Sequence, residues 1–140
     1  MVSETELIAR YGETDQMGIV HHSNYPIWFE AGRTSFFIKL NIPYSKIEEA
    51  GFLLPLTSMR CSFKKPARYE DEIIIRTSII HFSGVRLDFK YLVLLKVDQQ
   101  LIAEGETAHA WTDLNLKPVN LKRKYPELYA LLIKAFEKTS

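Results

Sequence analysis

One stretch of this chain concentrates side chains able to do chemistry: Tyr11-Gly12-Glu13-Thr14-Asp15-Gln16-Met17-Gly18-Ile19-Val20-His21-His22-Ser23-Asn24. It holds two carboxylates, Glu13 and Asp15, and the adjacent pair His21 and His22. The stretch has no hydrophobic periodicity, which predicts a loop, and it runs straight into an apolar segment with helix-entry signals. Ser23 or Asn24 suits the cap, and Pro26 is tolerated in a first turn. A helix N-terminus presents N–H groups without intrahelical partners and about half a positive charge. Such an end can hold an oxyanion while a neighbouring carboxylate attacks a carbonyl or activates water. Glu13 and Asp15 are the carboxylates at hand, and the backbone amides of His22, Ser23 and Asn24 are the candidate donors. A non-catalytic turn accounts for the same residues, because Asp and its polar neighbours are ordinary turn formers.

Other chemistry is less well served. The two histidines suggest a metal, but adjacent side chains diverge on a helix or strand, and no Cys or further His stands at ligand spacing. His81 and His109 fall on separate predicted strands, so no metal and no cofactor is expected. Glu13 is expected in solvent, outside the site. Cys61, between Met59 and Phe63, reads as buried filler rather than a nucleophile.

The elements that must position the loop follow from periodicity. Residues 7–11 predict a short strand. In residues 24–40, Tyr25, Trp28, Phe29, Ala31, Gly32, Phe36, Ile38 and Leu40 occupy most of a helix circumference, which predicts burial nearly all round. A second short helix is expected over 45–50. Four strands follow at 56–65, 72–82, 85–97 and 101–112, with turn-like breaks between them. Their short connections imply antiparallel neighbours. Residues 121–138 predict a C-terminal helix with Pro126 in a first turn. The expected class is α+β: one curved antiparallel sheet wrapped around one long helix, in a single domain over 1–140. Its edge strands favour a dimer that continues the sheet across two chains.

The 140 residues carry 18 basic and 17 acidic groups, a net charge of +1. That balance gives no case for nucleic acid as the main partner, and little net repulsion opposes self-association. A single cysteine is consistent with a reducing compartment. With no apolar leader and no run of ~18–20 apolar residues, a cytoplasmic protein without a transmembrane segment is expected.

The run Y-x-E-T-D-Q-M-G-I-V-H-H-S-N-Y from Tyr11 to Tyr25, followed by W-F-E-A-G-R, resembles the 4-hydroxybenzoyl-CoA thioesterase family. Within it the chain is most similar to the bacterial acyl-CoA thioesterase branch associated with the Tol–Pal system. The segment Lys64-Lys65-Pro66-Ala67-Arg68-Tyr69-Glu70-Asp71-Glu72-Ile73 also resembles the family's connection between its second and third strands. The resemblance implies a hotdog fold, acyl-CoA hydrolysis, and a site between protomers of a dimer or a dimer-of-dimers homotetramer. It places the catalytic Asp on Asp15, the family's His on His22 and its Tyr on Tyr11. Candidate substrate-binding residues are Ser23 and Asn24 at the helix entry, Trp28 or Phe29 for an acyl pocket, and Lys65 and Arg68 within the basic group Arg60, Lys64, Lys65 and Arg68 for CoA phosphates. Two rival readings are a hotdog dehydratase or hydratase, which wants its acid on the helix rather than before it, and a non-catalytic acyl-thioester-binding or scaffold protein.

Overall fold

The computed structural model describes residues 1–138. Its strands are β1 (Val2–Ile8), β2 (Leu56–Phe63), β3 (Glu72–Phe82), β4 (Arg86–Leu95) and β5 (Leu101–Ala110). They form one antiparallel sheet in the order β1-β3-β4-β5-β2. The helices are α1 (Asn24–Lys39), α2 (Tyr44–Glu49), α3 (Leu121–Lys124) and α4 (Pro126–Glu137). This sheet curled on α1 is the hotdog arrangement.

α1 lies against the sheet through Tyr25, Trp28, Phe29, Gly32, Phe36 and Phe37, all buried. Burying each large side chain contributes roughly 1.5–3 kcal/mol. The Phe29 ring stacks on Tyr91 of β4 with centroids 4.4 Å apart. Two glycines permit that approach. A Cβ on Gly105 of β5 would stand 2.5 Å from the Phe29 ring, and one on Gly32 would run into Thr77 of β3. The helix is not buried all round, however: Ile38 is 55% exposed and Ile27 56%. The sheet covers one side of α1, α2 meets it through Phe37 and Tyr44, and Ile27 and Ile38 stay open to solvent.

Three further expectations shift. The first strand is Val2–Ile8, not 7–11, and Tyr11–Glu13 form a 3-10 turn. β1 is an edge strand whose solvent face pairs Glu4 with Arg76 at 2.7 Å and Glu6 with Lys96 at 3.2 Å, so its polar residues hid it. The C-terminal helix is broken in two at Tyr125 (φ −144°, ψ 69°), because Pro126 disfavours helical backbone in the residue before it. β2 alternates as expected, yet Leu56, Met59 and Phe63 are 51%, 46% and 54% exposed. It forms the other edge of the sheet, with no strand beyond it among the described residues. Cys61 is half-buried there, and burial pushes its thiol pKa up, as suits filler rather than a nucleophile.

Candidate active site

The loop before α1 is built around Glu13, which is buried at 6% exposure rather than solvated. Its carboxylate accepts the Arg10 backbone N–H at 2.7 Å and the Trp28 indole N–H at 3.0 Å. The Arg10 guanidinium stands at 3.4 Å. Burial alone would raise the carboxyl pKa, but these bonds outweigh it and hold the group below its usual value. The Glu13 carbonyl also accepts the His21 N–H at 2.8 Å and the Asn24 side-chain amide at 2.9 Å. One residue thus ties the loop to the first turns of α1. The signal in the sequence was Trp28, a core indole that needed an acceptor.

From that anchor the chain forms a tight hairpin bridged between Thr14 and Val20. The Asp15 N–H donates to the Ile19 carbonyl at 2.9 Å and Gly18 N–H to the Asp15 carbonyl at 3.0 Å, with Gly18 at φ 79°. The second arm is stitched to the β2–β3 connection by Val20 N–H donating to Ala67 O at 2.8 Å. Among the described residues the Asp15 side chain accepts one bond, from Met17 N–H at 2.8 Å, which leaves its second oxygen without a protein donor there.

Asp15 stands on the wall between two clefts. One, of about 350 Å³, is lined by Asp15, His22, Tyr25, Phe63, Lys64 and Lys65 among others. The Phe63 ring meets Tyr25 edge-on at 5.0 Å to form part of its apolar wall. The other, of about 530 Å³, carries Asp15 with Tyr11 and Tyr69, whose rings lie 5.6 Å apart. The structure therefore joins Asp15 to His22 and Lys65 on one side and to Tyr11 on the other. Tyr25, Phe63 and Tyr69 line these clefts without having been singled out for them.

Ser23, Asn24, Trp28 and Arg68 line neither cleft. Asn24 fastens the loop through the Glu13 and His21 carbonyls. Trp28 is a core residue held by Glu13, and Phe29 lies beneath α1 on Tyr91. Arg60 is engaged with Glu106 at 2.5 Å. Arg68 is exposed, its backbone N–H donating to Asp71.

The expected trio of backbone donors is reduced. Ser23 N–H points at His21 Nδ1 at 3.2 Å and Asn24 N–H donates to His21 O at 3.0 Å. Among the described residues the His22 N–H has no protein acceptor. The His21 and His22 rings do not diverge but lie 4.1 Å apart, because the pair sits in an irregular turn rather than a helix or strand. Among the described residues no group of three or more His, Cys, Asp or Glu is placed to hold a metal ion, and no helix is long and apolar enough to cross a membrane.

Residues 9–131 match the model of the thioesterase-like superfamily. YneP of Bacillus subtilis (strain 168), provisionally named an acyl-CoA thioesterase, is 33% identical over 135 residues, 96% of this chain and 97% of the relative. The 4-hydroxybenzoyl-CoA thioesterase of Pseudomonas sp. (strain CBS-3) is 35% identical over 72 residues, 49% of this chain and 51% of its own. A solved DHNA-CoA thioesterase from Staphylococcus aureus superposes with a TM-score of 0.90 at 31% identity, covering 95% of this chain and 89% of that one. With a hotdog sheet on one helix and a family match over nearly its whole length, this chain belongs to the thioesterase-like superfamily.

Proposed function

We propose that the chain hydrolyses acyl-CoA to a free acid and CoA, with Asp15 as the reacting carboxylate. The observation that carries this is the free Asp15 oxygen in a cleft shared with His22, whose backbone N–H has no acceptor. The thioester carbonyl oxygen binds that N–H. One such donor is worth about 2.7–4 kcal/mol to the transition state. Asp15 then reacts in one of two ways. As nucleophile it attacks the carbonyl carbon, the C–S bond breaks, CoA leaves as thiolate, and water cleaves the resulting mixed anhydride. As general base it takes a proton from water, which attacks the same carbon. The His22 ring orients substrate or water, and Tyr11 borders the carboxylate from the other cleft. Lys64, held only loosely by Glu104 at 3.9 Å, and Lys65 meet the CoA phosphates.

The working unit is a homodimer paired through β2, in the cytoplasm. The free β2 edge, with Leu56, Met59 and Phe63 exposed, supports that pairing, and two such dimers make the tetramer. The test is a hydrolysis screen over an acyl-CoA panel, read by free thiol, with Asp15→Asn as control. Loss of turnover in a folded variant supports the reading. Turnover at the wild-type rate, or tight acyl-CoA binding with no hydrolysis by the wild type, removes it.

A further inference from the structure

A further cavity, of about 230 Å³, opens between α1 and α2 and is lined by Glu30, Arg33, Thr34, Phe37, Tyr44 and Leu54. Arg33 is half-buried in it and forms no ion pair among the described residues. Of its five N–H donors one is used, Nη1 donating to the Tyr91 hydroxyl at 3.2 Å. Behind it runs a buried polar chain. Tyr91 Oη is 2.6 Å from Thr107 Oγ1, Thr107 is 2.8 Å from His109 Nε2, and His109 Nδ1 stands 3.3 Å from the Leu54 carbonyl. Burial first and the Arg33 charge second push His109 down to about 4, so the chain behind Arg33 is neutral and offers its cation no counter-charge. Tyr44 Oη accepts the Leu54 N–H at 2.8 Å, which leaves its own proton free to donate into the cavity. Glu30 also lines the cavity and is exposed, with no ion pair to Arg33 among the described residues. An anchored, half-buried guanidinium facing an open cavity is suited to a planar carboxylate.

The cavity's position ties it to Asp15. If the free β2 edge pairs antiparallel with a second copy about the strand's midpoint, between Met59 and Arg60, Lys65 comes near Leu54 of the partner subunit, give or take the residue of the bulge between Leu56 and Ser58. Lys65 lines the Asp15 cleft and Leu54 the Arg33 cavity, so in that pairing the two spaces lie side by side. We propose that the Arg33 cavity of one protomer closes the Asp15 cleft of the other, and that Arg33 selects acyl groups ending in a carboxylate over plain alkyl chains. This rests on the thioesterase reading and adds to it a substrate class and a residue supplied in trans.

The experiment compares adipoyl-CoA with hexanoyl-CoA, which differ in the terminal carboxylate, by kcat/KM. The wild type is expected to prefer adipoyl-CoA by on the order of tenfold or more. Arg33→Met brings the two kcat/KM values together, its folding being read separately by circular dichroism and thermal melts, and Arg33→Lys retains part of the preference. Equal mixing of Asp15→Asn and Arg33→Met protomers leaves one intact composite site in half of the dimers. Adipoyl-CoA turnover then returns to roughly a quarter of the wild-type rate. Equal rates on the two substrates, a preference that survives in Arg33→Met, or no recovery on mixing overturns the proposal while leaving hydrolysis standing. If neither substrate is hydrolysed, the thioesterase reading falls and this inference with it.

Discussion

Replacing Glu13 separates holding the loop from doing chemistry, because Glu13 lines neither cleft beside Asp15. In Glu13→Ala the Trp28 indole N–H loses its acceptor in a residue only 2% exposed. A buried donor left without a partner costs about 1–3 kcal/mol. The Arg10 N–H loses its partner too, but Arg10 is exposed and water replaces much of that bond, so about 0.5–1 kcal/mol is added. The expected loss is roughly 1.5–4 kcal/mol, read by urea denaturation at pH 7. Glu13→Gln keeps one carbonyl oxygen for one donor and should lose about half as much. Removing the donor as well, in Glu13→Ala/Trp28→Phe, should recover about 1 kcal/mol or more of coupling in a double-mutant cycle. The lowered Glu13 pKa fixes the pH sign. Its stabilisation is full above the unfolded carboxyl's value and is lost as pH falls through the lower folded value, so both variants flatten the acid limb. A loss below about 1 kcal/mol in Glu13→Ala, or equal losses with and without Trp28, refutes Glu13 as the anchor.

Asp15→Asn should cut turnover on the order of a thousandfold or more while leaving the unfolding midpoint near the wild-type value, checked by thiol release and thermal melts. His109, held down at about 4 against an ordinary 6.5, is neutral in the fold and takes up a proton on unfolding. Stability should therefore drop by about 3 kcal/mol as pH falls from 6.5 toward 4, and His109→Gln should remove that part of the slope in pH-dependent denaturation. Gly105→Ala puts a methyl against the Phe29 ring and the Arg60 carbonyl, the latter at 2.8 Å, and should cost about 1–3 kcal/mol by chemical denaturation. Met59→Lys on the exposed β2 edge should shift the protein toward monomer in sedimentation and lower turnover with it.

Residues 72–82 announced their strand through alternation, and 24–40 their helix through apolar residues and entry signals, because both patterns act between neighbours in the chain. The polar loop leading into a helix was legible for the same reason, but it holds Glu13 as well as Asp15, and it was the family motif that singled out Asp15. β1 escaped notice because its strand character comes from pairing with β3, more than sixty residues away. Glu13 looked like a solvated carboxylate until Trp28, fifteen positions on, was brought over it. Ser23 and Asn24 looked like open donors until the turn folded their N–H groups back onto His21. Arg33 gave no local sign of being an unpaired cation at a cavity; Tyr91, Thr107 and His109, which hold it, come from two distant strands. Periodicity and turn chemistry are local free energies and are written in the order of residues. Burial, hydrogen-bond satisfaction and the field at a charged group depend on which distant segments arrive, and here only the packing of sheet on helix decided them.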